Sequence, residues 1–126
     1  MDVRLAALLA ALNLGAAPFP EPRNNQPETI PLLTSADALT KLHLPEGFRA
    51  TLFAGDPDVR QPIALCWDER GRLWVAENYT YSDGKERFDL KLKDRIVIFE
   101  DADHDGKFDR RTVFTDEVQM LTSIER

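Results

Sequence analysis

The chain of 126 residues contains a single cysteine, Cys66, and two histidines, His43 and His104. One cysteine excludes an intramolecular disulfide, a CxxC zinc pair and the CxxCH motif that attaches haem covalently. Neither histidine has a serine or cysteine partner at a recognisable spacing, so we predict a surface position for both. Cys66 lies in the apolar run 63–67, which predicts a small buried side chain rather than a reactive thiol.

Basic residues are also few, with 16 Lys and Arg against 22 Asp and Glu and a net charge of −6. Nucleic-acid surfaces need basic patches that neutralise phosphates, so we expect no nucleic-acid partner. GxGxxG, GxxxxGK[ST] and GxSxG motifs are absent, which leaves no recognisable nucleotide loop or serine nucleophile elbow. The contents of 43% hydrophobic and 30% charged residues are typical of a globular protein.

The first residues are typical of a secretory signal peptide, which we predict at residues 1–17. Arg4 precedes the apolar run 5–14, and the small residues 15–17 offer a cleavage site before Pro18. This apolar run is too short to span a membrane as a helix. We therefore expect export to the periplasm or cell envelope, the alternative being an ordinary amphipathic helix. Residues 18–33 are rich in proline and predict an extended linker.

The remaining residues, 34–126, predict an all-β domain that follows one short helix. Thr34 is followed three residues later by Asp37, which resembles a capping box and predicts a helix from about Ala36 to Leu42. A loosely alternating lead-in strand is predicted next, at residues 48–54. Four further strands are predicted, with a tight turn at 68–71 and a long polar connection at 78–94: residues 63–67, 73–76, 95–99 and 111–114.

These four strands predict an antiparallel meander, because successive strands are joined by turns. Two of them are continuously apolar, which favours strands covered on both faces. Four short strands of this kind are typical of one blade of a β-propeller that is stacked between neighbouring blades. The length leaves room for one blade, so we expect a truncated propeller with the remaining blades downstream. The isolated chain should fold poorly because it exposes Ile63, Leu65, Ile96 and Ile98.

An acidic loop follows the third strand and has the spacing of a cation site. Calcium takes several oxygen ligands, and carboxylates at the first, third and fifth positions of a tight loop converge on one point. Thr112 replaces the bidentate glutamate at the twelfth position, so we expect weak binding, at about 10⁻⁴–10⁻³ M. The alternative is an acidic turn bonded to its own amides and to Lys107, Arg110 and Arg111. The predicted ligands are Asp101, Asp103, Asp105 and Asp109, with the backbone carbonyl of Lys107.

The meander also sorts the loops onto two ends of the sheet. The acidic loop lies at one end, and the connection between the second and third strands lies at the other. Ligands of propellers usually lie at the latter end. The candidates for a substrate face there are Arg60, Gln61, Glu77, Asn78, Tyr79 and Tyr81. The alternative, which we prefer, is a strand-end cluster that bonds to its own loop. The tripeptide 78–80 also matches an N-glycosylation acceptor.

Four stretches together resemble the start of the PVC-type membrane-bound dehydrogenase family: Leu44–Phe48, Gln61–Ala64, Asp68–Asn78 and Asp94–Gly106. That family is similar to the soluble quinoprotein glucose and sorbosone dehydrogenases, and the resemblance covers about residues 36–126. It implies a six-bladed propeller, often followed by helical repeats and a c-type haem domain. It also implies oxidation of a sugar or alcohol with pyrroloquinoline quinone, the electrons passing to haem.

Three functional hypotheses follow. The first is the N-terminal part of an exported dehydrogenase-like propeller that is inactive by itself, with catalytic residues that the sequence does not identify. The second is a non-catalytic propeller module, stabilised by calcium, that binds carbohydrate or a protein partner. The third is a fragment without function. Further blades and a CxxCH motif downstream would favour the first hypothesis, and blades without redox motifs the second.

Overall fold

The computed structural model of the chain describes residues 31–81 and 87–125. The predicted signal peptide and most of the predicted linker lie outside the described residues. No helix in the described part is long and apolar enough to cross a membrane. The described elements are one helix and four strands: α1 (Ser35–Thr40), β1 (Pro62–Trp67), β2 (Leu73–Glu77), β3 (Asp94–Glu100) and β4 (Arg110–Val118).

The four strands form one antiparallel sheet in the order β1-β2-β3-β4. This confirms the predicted all-β class and the meander. The inner strand β2 is buried along its whole length, as its continuous apolar run predicts. β4 extends further than predicted because its residues up to Val118 still pair with β3, where Val118 lies opposite Asp94.

The predicted cap of the helix is confirmed. The Thr34 hydroxyl accepts a hydrogen bond from the Asp37 amide at 3.1 Å, which satisfies one of the free donors of the first turn. The helix ends at Thr40, before the predicted Leu42, because Lys41 already closes it as the C-cap. The Lys41 amide donates to the Ala38 carbonyl oxygen at 3.0 Å, and the Leu42 amide donates to the Leu39 carbonyl oxygen at 3.3 Å.

The predicted lead-in strand at residues 48–54 is not formed in the described structure. A strand needs a ladder of hydrogen bonds along its length. This segment has one such bond, from the Phe108 amide to the Phe53 carbonyl oxygen at 3.4 Å. The Phe53 ring packs edge-on against Trp67 at 5.3 Å between centroids, so only the end of the segment is held against the sheet.

Side chains alternate between the two faces of the sheet. Leu65 and Trp67 share a face with the strand positions opposite them, Val75 and Leu73. We call this the Phe53 face, because Phe53 packs on it. The core lies here: Leu73, Val75, Val97 and Phe99, with Phe53, Ala54, Val59 and Phe108 packed against them.

The opposite face is named the Trp74 face. Cys66 and Ile98 lie opposite Trp74 on the neighbouring strands, and the Phe114 ring packs against Trp74 at 4.9 Å between centroids. After β4 the chain turns back over this face. Ile124 lines a groove of about 300 Å³ together with Cys66, Trp74, Ile96 and Phe114.

The exposure of apolar side chains differs in part from the prediction. Ile63 and Leu65 are exposed as expected, by 49% and 59%. Ile98 is buried and Ile96 half-buried, which corrects their predicted exposure. The reason is position, since β3 is an inner strand with β2 and β4 beside it, whereas β1 is an edge. Cys66 is half-buried rather than buried because it lies on that edge strand.

A single carboxylate builds the turn between β1 and β2. Asp68 accepts hydrogen bonds from the amides of Arg70 and Arg72, at 3.0 and 2.9 Å, and from the Trp74 indole at 2.9 Å. Gly71 takes the positive φ of 73° that closes the turn. Burial raises the pKa of Asp68, but the hydrogen bonds from Trp74, Arg72 and Arg70 outweigh it and hold this pKa well below its usual value.

Candidate functional site

The meander places two kinds of polar group at opposite ends of the sheet. The turn at Asp68 and the loop of residues 101–109 lie at one end. The C-terminus of β2 and the N-terminus of β3 lie at the other, which we call the polar end. Its buried members are Glu77, Asn78, Tyr79, Thr80 and Asp94, with Arg95 beside them.

Glu77 closes β2 and is fully buried. Its carboxylate accepts hydrogen bonds from the Arg60 amide at 2.8 Å and from the Tyr79 hydroxyl at 3.3 Å, and it forms an ion pair with Arg95. The pairing of β2 with β3 places Arg95 directly opposite Glu77, so the sheet register itself brings the two charges together. A buried carboxylate needs such partners, because an unpaired buried charge is very costly.

Asp94 opens β3 and is also fully buried. One oxygen accepts from the Tyr79 and Thr80 amides, each at 2.7 Å. The other accepts from the Thr80 hydroxyl at 2.9 Å and from the Leu121 amide at 2.8 Å. One carboxylate therefore joins three segments: the end of β2, the start of β3 and the chain that follows β4.

Asn78 reinforces the same junction. Its side-chain amide donates to the Leu121 carbonyl oxygen at 2.5 Å, and its oxygen accepts from the Tyr81 amide at 2.8 Å. The Met120 amide donates to the Thr80 hydroxyl at 3.2 Å. Because Asn78 is only 6% exposed, the possible glycosylation acceptor at 78–80 is closed in the folded domain.

The Tyr79 hydroxyl lies between two charged groups. It donates to Glu77 and accepts from the Arg95 guanidinium at 3.0 Å. Burial, followed by the negative charge of Glu77, raises the pKa of Tyr79 to about 12. The phenol is therefore held neutral over the whole physiological range, and it acts as a bonded structural group.

The other three substrate-face candidates lie at the margin of the polar end. Arg60 is half-buried, and its side chain donates to the Pro57 carbonyl oxygen at 3.2 Å. Gln61 adopts a positive φ of 45° and accepts from the Asn78 amide through its backbone. Tyr81 is exposed, with its ring edge-on to Phe88. The six candidates are thus close together, but Glu77, Asn78 and Tyr79 are buried in contacts with their own chain.

Sequence reasoning missed Asp94, Thr80 and Arg95 as members of this cluster. A signal was present, because Asp94 and Arg95 stand directly before an apolar run in a strand antiparallel to the one that Glu77 closes. In an antiparallel pair the start of one strand meets the end of the other. The partners of Asp94 beyond β4 could not be found in this way, since they come from a loop.

The acidic loop at the other end is more exposed. Asp101, Asp103 and Asp109 each have a carboxylate oxygen within 4.8 Å of the others, which is a spacing that can hold a metal ion. Asp105, which was also predicted as a ligand, is not part of this group. Its Oδ1 accepts from the Lys107 amide at 2.8 Å. The structure thus brings together three of the four predicted carboxylates.

Backbone amides shape this loop. Ala102 donates to Asp109 at 2.6 Å, and Gly106 donates to Asp101 at 3.0 Å. Gly106 has a positive φ of 89°, which glycine adopts without steric cost. Part of the alternative interpretation, an acidic turn bonded to its own amides, is therefore present. Two of the three cations in that interpretation bond elsewhere in the described structure: Arg110 pairs with Glu100, and the Arg111 guanidinium donates to the Asp58 carbonyl oxygen.

Comparison with known protein families adds one finding. Residues 34–125 match the family described as a domain of unknown function, DUF7133. The chain belongs to this family. The DUF7133 match begins at the N-cap Thr34 and includes α1, all four strands and both candidate ends of the sheet. No curated protein and no solved structure matches the chain.

Proposed function

We propose that the DUF7133 domain supplies one blade of a six-bladed β-propeller, and that its role is to pack between neighbouring blades. The observation that carries this proposal is the exposure of large apolar side chains on both faces of the sheet. Leu65 and Trp67 are 59% and 52% exposed on the Phe53 face, and Phe114 is 59% exposed on the Trp74 face. Apolar patches of this kind mark surfaces that pack against another element.

The energetic argument concerns burial. Fully burying a large apolar side chain contributes about 1.5–3 kcal/mol relative to leaving it in water. A sheet with water on one side exposes polar residues on that side. Here both faces carry exposed apolar residues, and this pattern is typical of a sheet stacked between two others.

The larger protein that we propose is an exported dehydrogenase-like oxidoreductase of sugars or alcohols. Support comes from the resemblance of residues 36–126 to the PVC-type membrane-bound dehydrogenases and from the signal-like pattern of residues 1–17. Mass spectrometry of protein from an exporting host should find a mature N-terminus near Pro18. Recovery of an intact Met1 together with cytoplasmic retention would contradict export.

The polar end does not fit the quinone that this resemblance implies. The carboxylate of Glu77, the amide of Asn78 and the hydroxyl of Tyr79 are buried and bonded to groups of their own chain. We therefore derive no redox step from the described residues, and the quinone and haem sites are proposed for other parts of the protein.

The acidic loop fits a structural calcium ion. Asp101, Asp103 and Asp109 would provide carboxylate oxygens, and the remaining ligands of the six to eight that calcium prefers would be other oxygens or water. Bound calcium would offset the repulsion among the carboxylates, so that its binding energy would also stabilise the loop. This site equally suits the second candidate, a non-catalytic propeller module that binds carbohydrate or a protein.

The blade proposal can be tested with two leucines of equal exposure. Leu65 lies on the Phe53 face and Leu90 lies in the connection between β2 and β3, and each is 59% exposed. In the complete protein, Leu65→Glu should cost about 2–4 kcal/mol of stability or prevent folding, because it puts a charge between packed sheets. Leu90→Glu should change stability by no more than about 0.5 kcal/mol. Equal tolerance of both substitutions, measured by denaturant unfolding, would rule out the stacked blade.

A further inference from the structure

Residues 49–52 have no hydrogen-bond partner within the described part of the chain. Phe48 before them is 73% exposed and Leu52 is 38% exposed. The sequence nevertheless alternates loosely, as a strand does, and Phe48, Thr51 and Phe53 are of residue types enriched in strands. This segment therefore has the composition of a strand but lacks a sheet.

The segment also repeats a pattern found in β4. Thr51-Leu52-Phe53 corresponds to Thr112-Val113-Phe114, and in both cases an isoleucine, Ile63 or Ile124, follows the phenylalanine by ten residues. In the second copy, the first three residues belong to the outer strand β4. In the first copy, the isoleucine belongs to β1, the opening strand of the sheet.

The two phenylalanines occupy related positions in space. Phe53 packs on the core of the Phe53 face, so it covers this sheet from outside. Phe114 stands on the Trp74 face of its own sheet, where it is 59% exposed and free to cover a neighbour in the same way. After Phe114 the chain reaches Ile124 on the Trp74 face. In the same way, the segment after Phe53 crosses the Phe53 face before it reaches Ile63.

From this repeat we infer that residues 48–53 are the outer strand of a neighbouring sheet rather than a part of the sheet described here. The partner is the free edge of an antiparallel sheet of the same protein, which packs on the Phe53 face and bonds to the backbone of residues 49–52. Strand addition to an open edge is a common way to join β elements, because it satisfies main-chain donors and acceptors along the whole segment. This inference rests on the proposed function, since it requires a neighbouring blade.

Hydrogen exchange of the complete protein, measured by mass spectrometry, tests the inference. Amides of residues 49–52 should exchange about 100-fold more slowly than those of an unstructured peptide, at alternate positions, as expected for an edge strand. Hydroxyl-radical labelling of Leu65 in the same sample, with the equally exposed Leu90 as the reference, reports separately on whether a sheet packs on the Phe53 face.

The outcomes separate the two proposals. If Leu65 is labelled less than Leu90 but residues 49–52 exchange as fast as an unstructured peptide, the strand inference is wrong and the blade proposal stands. If Leu65 is labelled as strongly as Leu90, the blade proposal fails and the strand inference fails with it. Slow exchange at 49–52 together with protection of Leu65 supports both.

Discussion

The two ends of the sheet use the same side chain, a carboxylate, in opposite ways. At the polar end, Glu77 and Asp94 are fully buried, and every described contact of their oxygens is with an N–H or O–H of the chain. In the acidic loop, Asp103 and Asp109 are exposed and their oxygens converge with one of Asp101. Carboxylates at both ends accept hydrogen bonds from backbone amides, so the comparison shows that burial, rather than the number of acidic residues, decides whether a carboxylate is enclosed or available to a ligand.

The largest effect that this contrast predicts comes from Asp94→Ala. The substitution removes four hydrogen bonds and leaves the buried amides of Tyr79 and Thr80 without this acceptor. We expect a loss of about 3–5 kcal/mol in the free energy of unfolding, in a form of the protein that unfolds cooperatively. Asp116→Ala on β4 is the matched control, because Asp116 is exposed and should change stability by about 0.5 kcal/mol or less. Similar losses of stability for both substitutions would show that the buried carboxylate of Asp94 is no more important for folding than an exposed one.

A smaller effect is expected from Tyr79→Phe, which removes the hydroxyl that bonds to two charged groups. We expect a loss of about 1.5–3 kcal/mol near neutral pH. The pKa of Tyr79 is raised from 10.0 to about 12 in the folded state, so the folded state keeps its proton while the unfolded state loses it. The stabilisation is therefore fully present below pH 10 and declines as the pH rises towards about 12.

The measurement is the unfolding free energy of the wild type and of Tyr79→Phe between neutral pH and pH 12. The difference between the two proteins should shrink above pH 10. A difference that stays constant over this range would show that the phenol is not held neutral by Glu77 and by burial.

The smallest predicted effect concerns the acidic loop. Asp103→Asn should weaken calcium binding about tenfold, or about 1.4 kcal/mol, because Asp103 belongs to the convergent group. Asp105→Asn should weaken it less, since Asp105 lies outside that group and bonds to the Lys107 amide. Calorimetry and the change in melting temperature with millimolar calcium provide the measurement. If the folded wild type neither releases heat nor gains melting temperature, the loop is only an acidic turn.

Local patterns predicted most of the sheet correctly. The apolar runs within β2 and β3 favour burial on both faces. Both strands form at the predicted residues and lie in the interior of the sheet. The turn at 68–71 and the cap at Thr34 depend on contacts between residues within six positions of each other, so the sequence contains all their parts. The lead-in strand is not formed in the described structure, because its pattern gives a preference for a strand but no partner strand.

The polar end was predicted only in part for the same reason. Glu77, Asn78 and Tyr79 are adjacent in sequence and were recognised together. Asp94 was missed because its Leu121 partner is distant in sequence and is brought close only after β4 has paired and the chain has turned at Met120, whose φ is 56°. The bonds found lie only in part within the loop itself, because Asn78 accepts from Tyr81 but also donates to Leu121 beyond β4.

The sequence alone determined which segments form the inner strands, where the hairpin turn lies and that carboxylates gather in one loop, because these follow from short-range periodicity and from side chains a few residues apart. Only the tertiary structure decided which carboxylates became structural and which converge on an open site, and which apolar residues stay exposed. The reason is that burial and hydrogen-bond partners depend on neighbours that are remote in the chain, as Leu121 is from Asp94 and as Phe53 is from the core on which it packs.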